Sequence, residues 1–390
     1  AIGAIDISIL PPQTIADPIK LNGGITSMAV SNNSAYVLLN SKNLAILDIA
    51  DFKKIKIVTT IVNDPNKIDL TNAMDLVAKD KYVILSNNVL NQLKILNVAD
   101  PKNVVPAGSL QNGEGGAKLF GANKMFLAGN YLYILAKDGS NGSFGVEVVD
   151  ISQAPKLTPI KFLPLQGDAK LLFANNQFLF ASFDEGGVVS ARKIAIFDTV
   201  KGFSLVSTLS APYANGIYAF GKYLYLSFKD ASDKYVKVFD ISDSTKPLLV
   251  GALNDGNLKN PEVMGGANDH ALIMSKPEGI NNFFNIIGLG VSGDTLKGKP
   301  EQDLTTKEKE TQPKEYVWAK TGSGKNAVED GASLFITPQK PTVIDNWPKC
   351  HLACVNAEIG AEFSLSMDLA SLATVKLFKC GSGVLGVDTP

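Results

Sequence analysis

The chain has one arginine, Arg192, and two histidines, His270 and His351, among its 390 residues. Arginine makes the paired hydrogen bonds that clamp carboxylates and phosphates, so sites of that kind are largely excluded. The formal net charge is −1, and charged residues are only 19% of the total. Nucleic acid would need a basic face for its phosphates, so it is not an expected partner.

Long apolar runs are missing, and so is an initial methionine. No run approaches the roughly 20 residues of a membrane helix, so we expect no transmembrane segment. The chain starts at Ala1, which favours a removed signal peptide and a secreted or cell-surface protein. Acceptor sequons at Asn32 and Asn141 fit export and are candidate glycosylation sites.

Groups for catalysis are in short supply. A Ser-His-Asp triad would have to use His270 or His351, and no Gly-x-Ser-x-Gly elbow is present. Asp168, Asp184 and Glu185 lie in predicted loops and could form a carboxylate pair for glycosidic chemistry, but they resemble ordinary loop acids. We therefore assign no catalytic residue, and interpret His270 as a surface or turn residue.

Two loop motifs resemble ligand sites but are incomplete. The segment KTGSGKN, residues 320–326, has Ala319 and Asn326 where a phosphate-binding loop needs glycine and a hydroxyl, and no amphipathic helix follows. Asp138 and Ser140, in DGSNGS, resemble the start of a calcium loop without its distal glutamate. Exposed turns are the favoured interpretation of both, and calcium remains a weaker alternative.

An aliphatic-x-Asp-aliphatic segment recurs along the chain. Its Asp or Asn stands at Asp6, Asp48, Asn97, Asp150, Asp198, Asp240 and Asn285. The spacing of about 40 to 50 residues is the size of one four-stranded propeller blade. Between these segments, short apolar strands meet polar turns, as in MDLVAKDKYVILSN, so strand patterns dominate residues 1–297.

The best copies, VFDISDSTKPLLVGAL at 238–253 and VVDISQAPKLTPI at 148–160, resemble the repeats of the LVIVD-repeat β-propeller family. The resemblance covers residues 1 to about 297 and implies a propeller, in a family found on exported bacterial and archaeal proteins. It says little about function, because propellers carry many unrelated activities.

The recurring Asp has two interpretations. It could form a ring of acidic ligands, or its carboxylate could accept backbone N–H groups in the turn after each third strand. The structural interpretation is favoured, because the change to Asn at 97 and 285 keeps the turn and loses the charge.

We predict six four-stranded blades, with seven as the alternative. Residues 4–21 are expected to close the ring by supplying outer strands to a blade whose inner strands lie at 262–275, which leaves the copy at 283–297 displaced or doubled. If residues 315–337 supply the inner strands instead, the count is seven. Pairing with a neighbouring copy would make the same strand a joint of a polymer, and closure within the chain is favoured.

The C-terminal part has a different composition. Residues 298–315 are charged and read as a linker, and residues 316–390 read as a small, mainly β appendage that holds all three cysteines. Cys350, Cys354 and Cys380 suggest one disulfide. A zinc or haem site using them with His351 is a weaker alternative, as are free or intermolecular thiols.

Two functions of different class follow. The favoured one is a non-enzymatic exported propeller that acts as a structural or binding module in cell-surface or extracellular assembly or adhesion. Its partners would be other proteins or copies of itself, joined by strand exchange at exposed blade edges. The alternative is a metal-dependent hydrolase, or a metal- or haem-binding protein, which would use the propeller channel or the CHLAC segment. No cofactor is expected in the favoured case.

Overall fold

The computed structural model describes residues 2–6, 13–14, 19–229, 236–253, 261–267, 270–275, 283–288, 316–320, 333–335, 343–347 and 360–363. Within these ranges the chain is almost entirely β-strand, with two single turns of 3-10 helix at Glu114–Gly116 and Val189–Ala191. No helix in the described ranges has the length and apolar character needed to cross a membrane.

The chain divides into two compact units, Ala1–Thr337 and Pro338–Pro390. In the second unit, Val343–Trp347 pairs with Gly360–Phe363 as an antiparallel pair. The cysteines and His351 lie outside the described residues. Their pairing and ligand roles therefore stay predictions, and so does the linker at 298–315.

Six four-stranded antiparallel sheets account for most of the described part of the first unit, each with its strands in sequence order. Sheet 1 has Ile25–Ser31, Ser34–Leu39, Leu44–Asp48 and Lys56–Ile61; sheet 2 has Ala73–Lys79, Tyr82–Asn87, Gln92–Asn97 and Val105–Gln111. Sheet 3 has Met125–Ala128, Tyr131–Lys137, Phe144–Asp150 and Thr158–Pro164; sheet 4 has Gly167–Ala174, Phe178–Glu185, Arg192–Asp198 and Ser204–Ser210. Sheet 5 has Ala214–Phe220, Tyr223–Phe228, Val236–Asp240 and Leu248–Leu253; sheet 6 has Pro261–Ala267, His270–Ser275, Phe283–Gly288 and Tyr316–Lys320. The all-β prediction is confirmed.

Short turns make these meanders. The first hairpin of sheets 1, 2, 3 and 5 places Asn32, Asp80, Gly129 and Gly221 at positive φ, between 52° and 59°. Asn, Asp and Gly tolerate this left-handed conformation better than other residues, and tight hairpins between strands require it. The polar turn between two apolar strands is thus encoded locally.

The core lies between successive sheets. In sheet 3, Leu132 and Ile134 pack against sheet 2, whereas Tyr133 and Leu135 pack against sheet 4. Alternate residues of a strand point to opposite faces, so this second strand is apolar from Leu132 to Ala136 because both faces are covered. Similar clusters join sheets 1 and 2 and sheets 4 and 5.

The first strands of successive sheets lie side by side in chain order. Ser27 donates to Asp75 and, further along the same strand, Ser31 donates to the Asp80 carbonyl at 3.4 Å. The first strands of sheets 1 and 2 therefore run in the same direction. Asp75 also contacts the first strand of sheet 3, because the Met125 N–H donates to its carboxylate at 2.7 Å. We call the end where first strands begin the loop end, and the opposite end, which carries the turns after the third strands, the turn end.

A β-bulge recurs near the loop end of the first strand. The register shifts between Ile25 and Ser27, Ala73 and Asp75, Ala169 and Leu172, Ala214 and Gly216, and Pro261 and Val263. A second shift recurs where the third strand pairs with the fourth, in sheets 1 to 5. Bulges increase twist, and on outer strands they make an edge a poorer template for further pairing.

The N-terminal strand pairs differently from the prediction. Ile2–Asp6 is antiparallel to Gln13–Thr14 and parallel to Ser333–Phe335. The strands expected to receive it, within 262–275, instead belong to sheet 6, where Phe283–Gly288 and then Tyr316–Lys320 pair beyond them. That edge is therefore occupied, and the segment containing Asn285 is a regular third strand.

The strand Tyr316–Lys320, predicted in the appendage, thus lies in sheet 6 and in the first compact unit. The strand in ASLFIT that pairs with the N-terminal strand comes from the region named in the seven-blade alternative. The number of blades and the closure of the ring stay predictions.

Candidate functional site

The turn end is built from one repeated contact. The side-chain oxygen of the repeat Asp or Asn accepts the backbone N–H two residues later, at 2.7 to 3.0 Å: Asp48 from Ala50, Asn97 from Ala99, Asp150 from Ser152, Asp198 from Val200 and Asp240 from Ser242. Such Asx turns order the chain after a strand. The side chains of Asp6 and Asn285 lie outside the described residues.

For two of the turn acids, Asp48 and Asp240, these contacts also favour the charged form. The Ala50 N–H and then Lys56 lower the pKa of Asp48, and contacts with Ser242 and then Lys222 lower the pKa of Asp240. Hydrogen bonds to a carboxylate favour its ionised state. The repeat positions therefore have a structural use at the turn end, and the candidate site is at the loop end.

The single arginine, Arg192, lies at the loop end and is paired inside the protein. Arg192 Nε and Nη2 lie 2.6 and 2.9 Å from the two carboxylate oxygens of Asp184, and Nη1 donates to the Ala214 carbonyl. Both charged side chains are buried. Since Ala214 begins the first strand of sheet 5, this pair fastens sheet 4 to sheet 5.

The other two acids considered for glycosidic chemistry are also paired with cations. Asp168 binds Lys170, and Glu185 Oε1 lies 2.8 Å from Lys193 Nζ. The prediction placed Asp168, Asp184 and Glu185 in loops, but they occupy strand ends, with Asp168 directly opposite Asp184. Cross-strand pairing explains why charged residues gather here, and neutralisation by neighbours gives them a structural role.

Asp75 joins three successive first strands. Its Oδ1 accepts from Ser27 and, at 2.9 Å, from the Leu76 N–H, while Oδ2 accepts from the Met125 N–H at 2.7 Å. Burial raises the pKa of this carboxyl despite these bonds. Asp75 therefore links the row of adjacent first strands, and Met74 is exposed beside it.

A buried carboxyl lies beneath the connection between sheets 2 and 3. Glu147, on the third strand of sheet 3, is 1% exposed, and its Oε2 has no hydrogen-bond partner in the described part of the chain. The Lys118 backbone N–H donates to this carboxyl, and Lys118 and Asp138 are its charged neighbours. Burial, with a smaller contribution from Asp138, raises the pKa of Glu147 to about 7.

Asp138 and Ser140, the calcium candidates, form an Asx turn. The Ser140 N–H and Oγ donate to Asp138 Oδ1 at 2.9 and 2.6 Å, and Lys118 Nζ lies 3.2 Å from the same oxygen. These contacts lower the pKa of Asp138. The described residues contain no group of three or more His, Cys, Asp or Glu side chains able to hold a metal, and calcium stays a prediction.

Several large apolar side chains are exposed at the loop end. Val62, Val89, Leu90, Phe120, Val188, Val189 and Tyr213 are between 38% and 67% exposed. All lie in, or at the edge of, connections that enter a first strand or leave a second strand. We call these seven residues the apolar loop surface, because exposed apolar residues in ordered connections can form a binding site. Eight other large apolar residues are exposed toward the turn end, mostly on fourth strands: Val30, Ile57, Val105, Ile160, Val200, Leu205, Leu248 and Leu249.

Hydrogen bonds fix the loops that carry this surface. Between sheets 2 and 3, the Gly121 N–H donates to Asn91 Oδ1 at 2.7 Å and the Asn112 N–H donates to the Asn91 carbonyl at 2.9 Å. Between sheets 4 and 5, the Tyr213 N–H donates to the Val189 carbonyl at 3.1 Å. The surface is therefore presented in a defined conformation.

Sequence reasoning missed the apolar loop surface, Glu147 and the Arg192 pair. The usable signal for the surface was an apolar residue within glycine- and asparagine-rich connections, as in NNVLNQ and GGAKLFGAN. Of the two sequons, Asn32 and Asn141 are both exposed in turns, and their glycosylation stays a prediction.

Comparisons with known proteins agree with this architecture. A family model described as the LVIVD repeat matches residues 22–54 and 211–255. A solved protein from Lactobacillus plantarum is 14% identical, with a TM-score of 0.52, over 75% of this chain and 89% of that chain. A provisionally assigned 6-phosphogluconolactonase from Bacteroides uniformis is 12% identical, with a TM-score of 0.53, over 71% and 85%. At such identities the similarity shows the fold alone, and no curated protein matches the chain by sequence.

Proposed function

Because the chain matches the LVIVD repeat at residues 22–54 and 211–255 and folds into successive four-stranded sheets, we propose that it is a non-catalytic binding module whose apolar loop surface docks a protein partner. The observation that carries this proposal is the set of seven exposed apolar side chains at one end of the sheets. Burying them against a partner would gain about 25 cal/mol for each Å² of apolar area removed from water.

The rigidity of the supporting loops favours binding. A surface that is already ordered loses little conformational entropy when it docks, so more of the contact energy appears as affinity. Asn91 and Asn112 order the connection carrying Phe120, and Val189 and Tyr213 are tied to each other. Aromatic anchors such as Phe120 and Tyr213 contribute strongly to protein interfaces.

The charged groups at this end support binding over catalysis. Asp168, Asp184 and Glu185 are each paired with a cation, so each carboxylate already has a structural partner. A hydrolytic role would require at least one of them to be released for a substrate.

Secretion or cell-surface location is part of the proposal. It is supported by the exposed positions of Asn32 and Asn141 in their turns, where a glycan could be attached. Detection of the protein in culture supernatant or on intact cells, and of glycans at these two asparagines, would test it. Retention inside intact cells would contradict it.

Strand exchange between copies is a second candidate mode of assembly. In the six four-stranded sheets the third strand has an antiparallel inner neighbour, whereas Ile2–Asp6, which carries the same repeat, pairs in parallel with Ser333–Phe335. A second copy could offer the antiparallel partner that the repeat otherwise has. Both edges of Ile2–Asp6 are already paired, with Gln13–Thr14 and with Ser333–Phe335, so a second copy would have to displace Ser333–Phe335 before its own strand could pair there.

The binding proposal is tested by site-specific photo-crosslinking of the full chain in its host. A photoreactive phenylalanine analogue replaces Leu90, Phe120 or Tyr213, and Lys53 and Lys102 at the turn end serve as exposed controls. We expect a discrete protein adduct from the loop-end positions only. Equal or absent adducts at the loop end would overturn the proposal.

Strand exchange is tested by sedimentation with elemental and haem analysis of the same sample. Polymers that shorten when a peptide of residues 2–14 is added in excess, and not with a scrambled peptide, would support exchange. A monomer with stoichiometric calcium, zinc or haem would contradict assembly and support the metal-binding alternative.

A further inference from the structure

Glu147 is a buried acid with incomplete hydrogen bonding. Its exposure is 1%, Oε2 lacks a partner among the described residues, and the only hydrogen bond assigned to the carboxyl comes from the Lys118 N–H. A buried carboxylate without full compensation is costly, so the neutral acid is favoured near neutral pH. The geometry and the raised pKa, about 7, point in the same direction.

In sheet 2 the charged residue at the equivalent position of the third strand forms a complete ion pair with the connection that enters the sheet. Lys94 stands three residues before Asn97, as Glu147 stands three residues before Asp150. Lys94 Nζ reaches the connection entering its own sheet, 2.5 Å from Asp69 Oδ2 and 2.8 Å from the Asp69 carbonyl. The strand position therefore fastens the incoming connection through an ion pair.

In sheet 3 the same position carries the opposite charge, and Glu147 does not form an ion pair with the Lys118 ammonium. Lys118 lies in the incoming connection, but its Nζ is 3.2 Å from Asp138 Oδ1, and only its backbone N–H serves Glu147. The cation that would match Glu147 is thus held by a neighbouring acid. Lys118 therefore has two acidic neighbours, Asp138 and Glu147.

Lysines on the strands beside Glu147 are engaged elsewhere. Lys137, at the end of the adjacent second strand, lies over the Phe144 ring at 4.3 Å. Lys161, on the adjacent fourth strand, donates to the Gly202 carbonyl at 2.9 Å. Directly across from Glu147 are the apolar residues Ile134 and Phe162. Lys118 is therefore the cation positioned to respond when Glu147 ionises.

We propose that Glu147 is a proton-controlled fastener of the connection at residues 112–124, so that partner docking at the apolar loop surface depends on the protonation state of this carboxyl. The inference rests on the proposed function. Phe120, the aromatic residue of that connection in the surface, lies two residues from Lys118 and is 46% exposed.

The two states differ in one proton and one ion pair. With Glu147 neutral, Lys118 stays on Asp138 and the connection keeps the described conformation. Loss of the proton to solvent leaves a buried charge, which draws the Lys118 ammonium away from Asp138. The turn at 138–140 then loses its cation and shifts. Gly139 in this turn lies against the Phe120 side chain, so the Phe120 ring leaves its docking position while its carbonyl stays bonded to the Lys137 N–H. Binding is therefore strongest below neutral pH.

Amide NMR of the full-length deuterated chain from pH 5.5 to 8.5 tests the fastener without a partner. We expect the Lys118, Phe120 and Ser140 amide signals to titrate together near pH 7. The transition should vanish in Glu147→Gln and persist in Glu114→Gln, a control acid exposed in the same connection. Signals that stay fixed, or that titrate equally in Glu147→Gln, would overturn the proposal.

Lys118→Met provides a second variant if Glu147→Gln fails to fold. It keeps the backbone N–H and removes the ammonium, so the response of Phe120 should disappear while the Glu147 carboxyl still titrates, at a higher pH. An unchanged Phe120 response in Lys118→Met would overturn the role of the lysine.

Photo-crosslinking at position 90 separates this inference from the proposed function. If only the protonated state docks, the apparent affinity should fall about tenfold between pH 6 and pH 8. Adducts of equal yield at both pH values would overturn the regulation and leave the binding function intact. If adducts are absent at both, the binding function fails, and NMR still decides whether the fastener exists.

Discussion

The two ends of the sheets differ in how closely they follow the repeat. At the turn end, five described repeat positions make the same i to i+2 hydrogen bond, whether the residue is Asp or Asn. Midway along the third strand, nearer the loop end than the repeat residue, equivalent positions carry different groups: Lys94 in sheet 2 and Glu147 in sheet 3. Regular contacts build the fold at one end, and varied contacts distinguish the blades at the other.

This contrast assigns different costs to mutation at each end. A turn-end substitution removes one local hydrogen bond that the chain makes several times over. A loop-end substitution can leave a buried charge without a partner, as with Asp184, or can alter a surface with little cost to folding, as with Phe120. The following predictions test this difference, from the largest expected effect on stability to the smallest.

Arg192→Met should have the largest effect. Removing the guanidinium leaves Asp184 buried and unpaired, which typically costs about 3–5 kcal/mol of unfolding free energy. Urea unfolding measures the loss, with Lys193→Met as the matched control because its pair with Glu185 is partly exposed and should be worth about 1 kcal/mol or less.

The double variant Arg192→Met with Asp184→Asn sharpens this prediction. Removing both charges should recover a large part of the loss, since the uncompensated carboxylate is its main cause. Equal losses in Arg192→Met and Lys193→Met would show that the buried pair is not a distinctive feature of the loop end.

Glu147 should make stability depend on pH. Its pKa is about 7 in the folded chain against 4.5 for the ordinary group, so between these values the folded state holds a proton that the unfolded state releases. The unfolding free energy therefore falls as pH rises through this window, by on the order of 3 kcal/mol, and is constant above it. Urea midpoints from pH 5 to 8 should show this slope in the unaltered chain but not in Glu147→Gln. Parallel curves for the two proteins would contradict it.

The sequence allowed prediction of whatever is encoded locally. The strand-turn alternation and the position of each Asp or Asn gave the third strands, which end at or contain that residue. Pairing of the N-terminal strand was not predictable, because it depends on which distant edge is free, and Tyr316–Lys320 occupies the expected one. The burial of Arg192 and Glu147 could not be predicted from the sequence either, because it depends on connections from neighbouring sheets.

A turn-end variant should have a moderate effect. Asp150→Ala removes the 2.7 Å hydrogen bond from the Ser152 N–H and should cost about 1 kcal/mol, the usual net value of such a bond. Asp150→Asn should be nearly neutral, because Asn97 makes the same contact in sheet 2 at 3.0 Å. Thermal or urea unfolding of both variants measures the difference. A large loss in Asp150→Asn would show that the charge itself matters at this end.

Phe120→Ser and Leu90→Ser should have the smallest effect on stability. Both side chains are nearly half exposed, and surface substitutions of this kind usually change the unfolding free energy by less than about 0.5 kcal/mol. Their effect on partner docking should be the largest of all the variants, because apolar anchors at the centre of an interface dominate its affinity. Phe126→Ser is the matched control: this ring packs against Phe173 with centroids 4.9 Å apart, so it should lose stability. The opposite outcome would be a Phe120→Ser variant that unfolds easily yet still gives the photo-crosslinked partner adduct from position 213. That result would reverse the assignment of the two ends and make the loop end a part of the folding core.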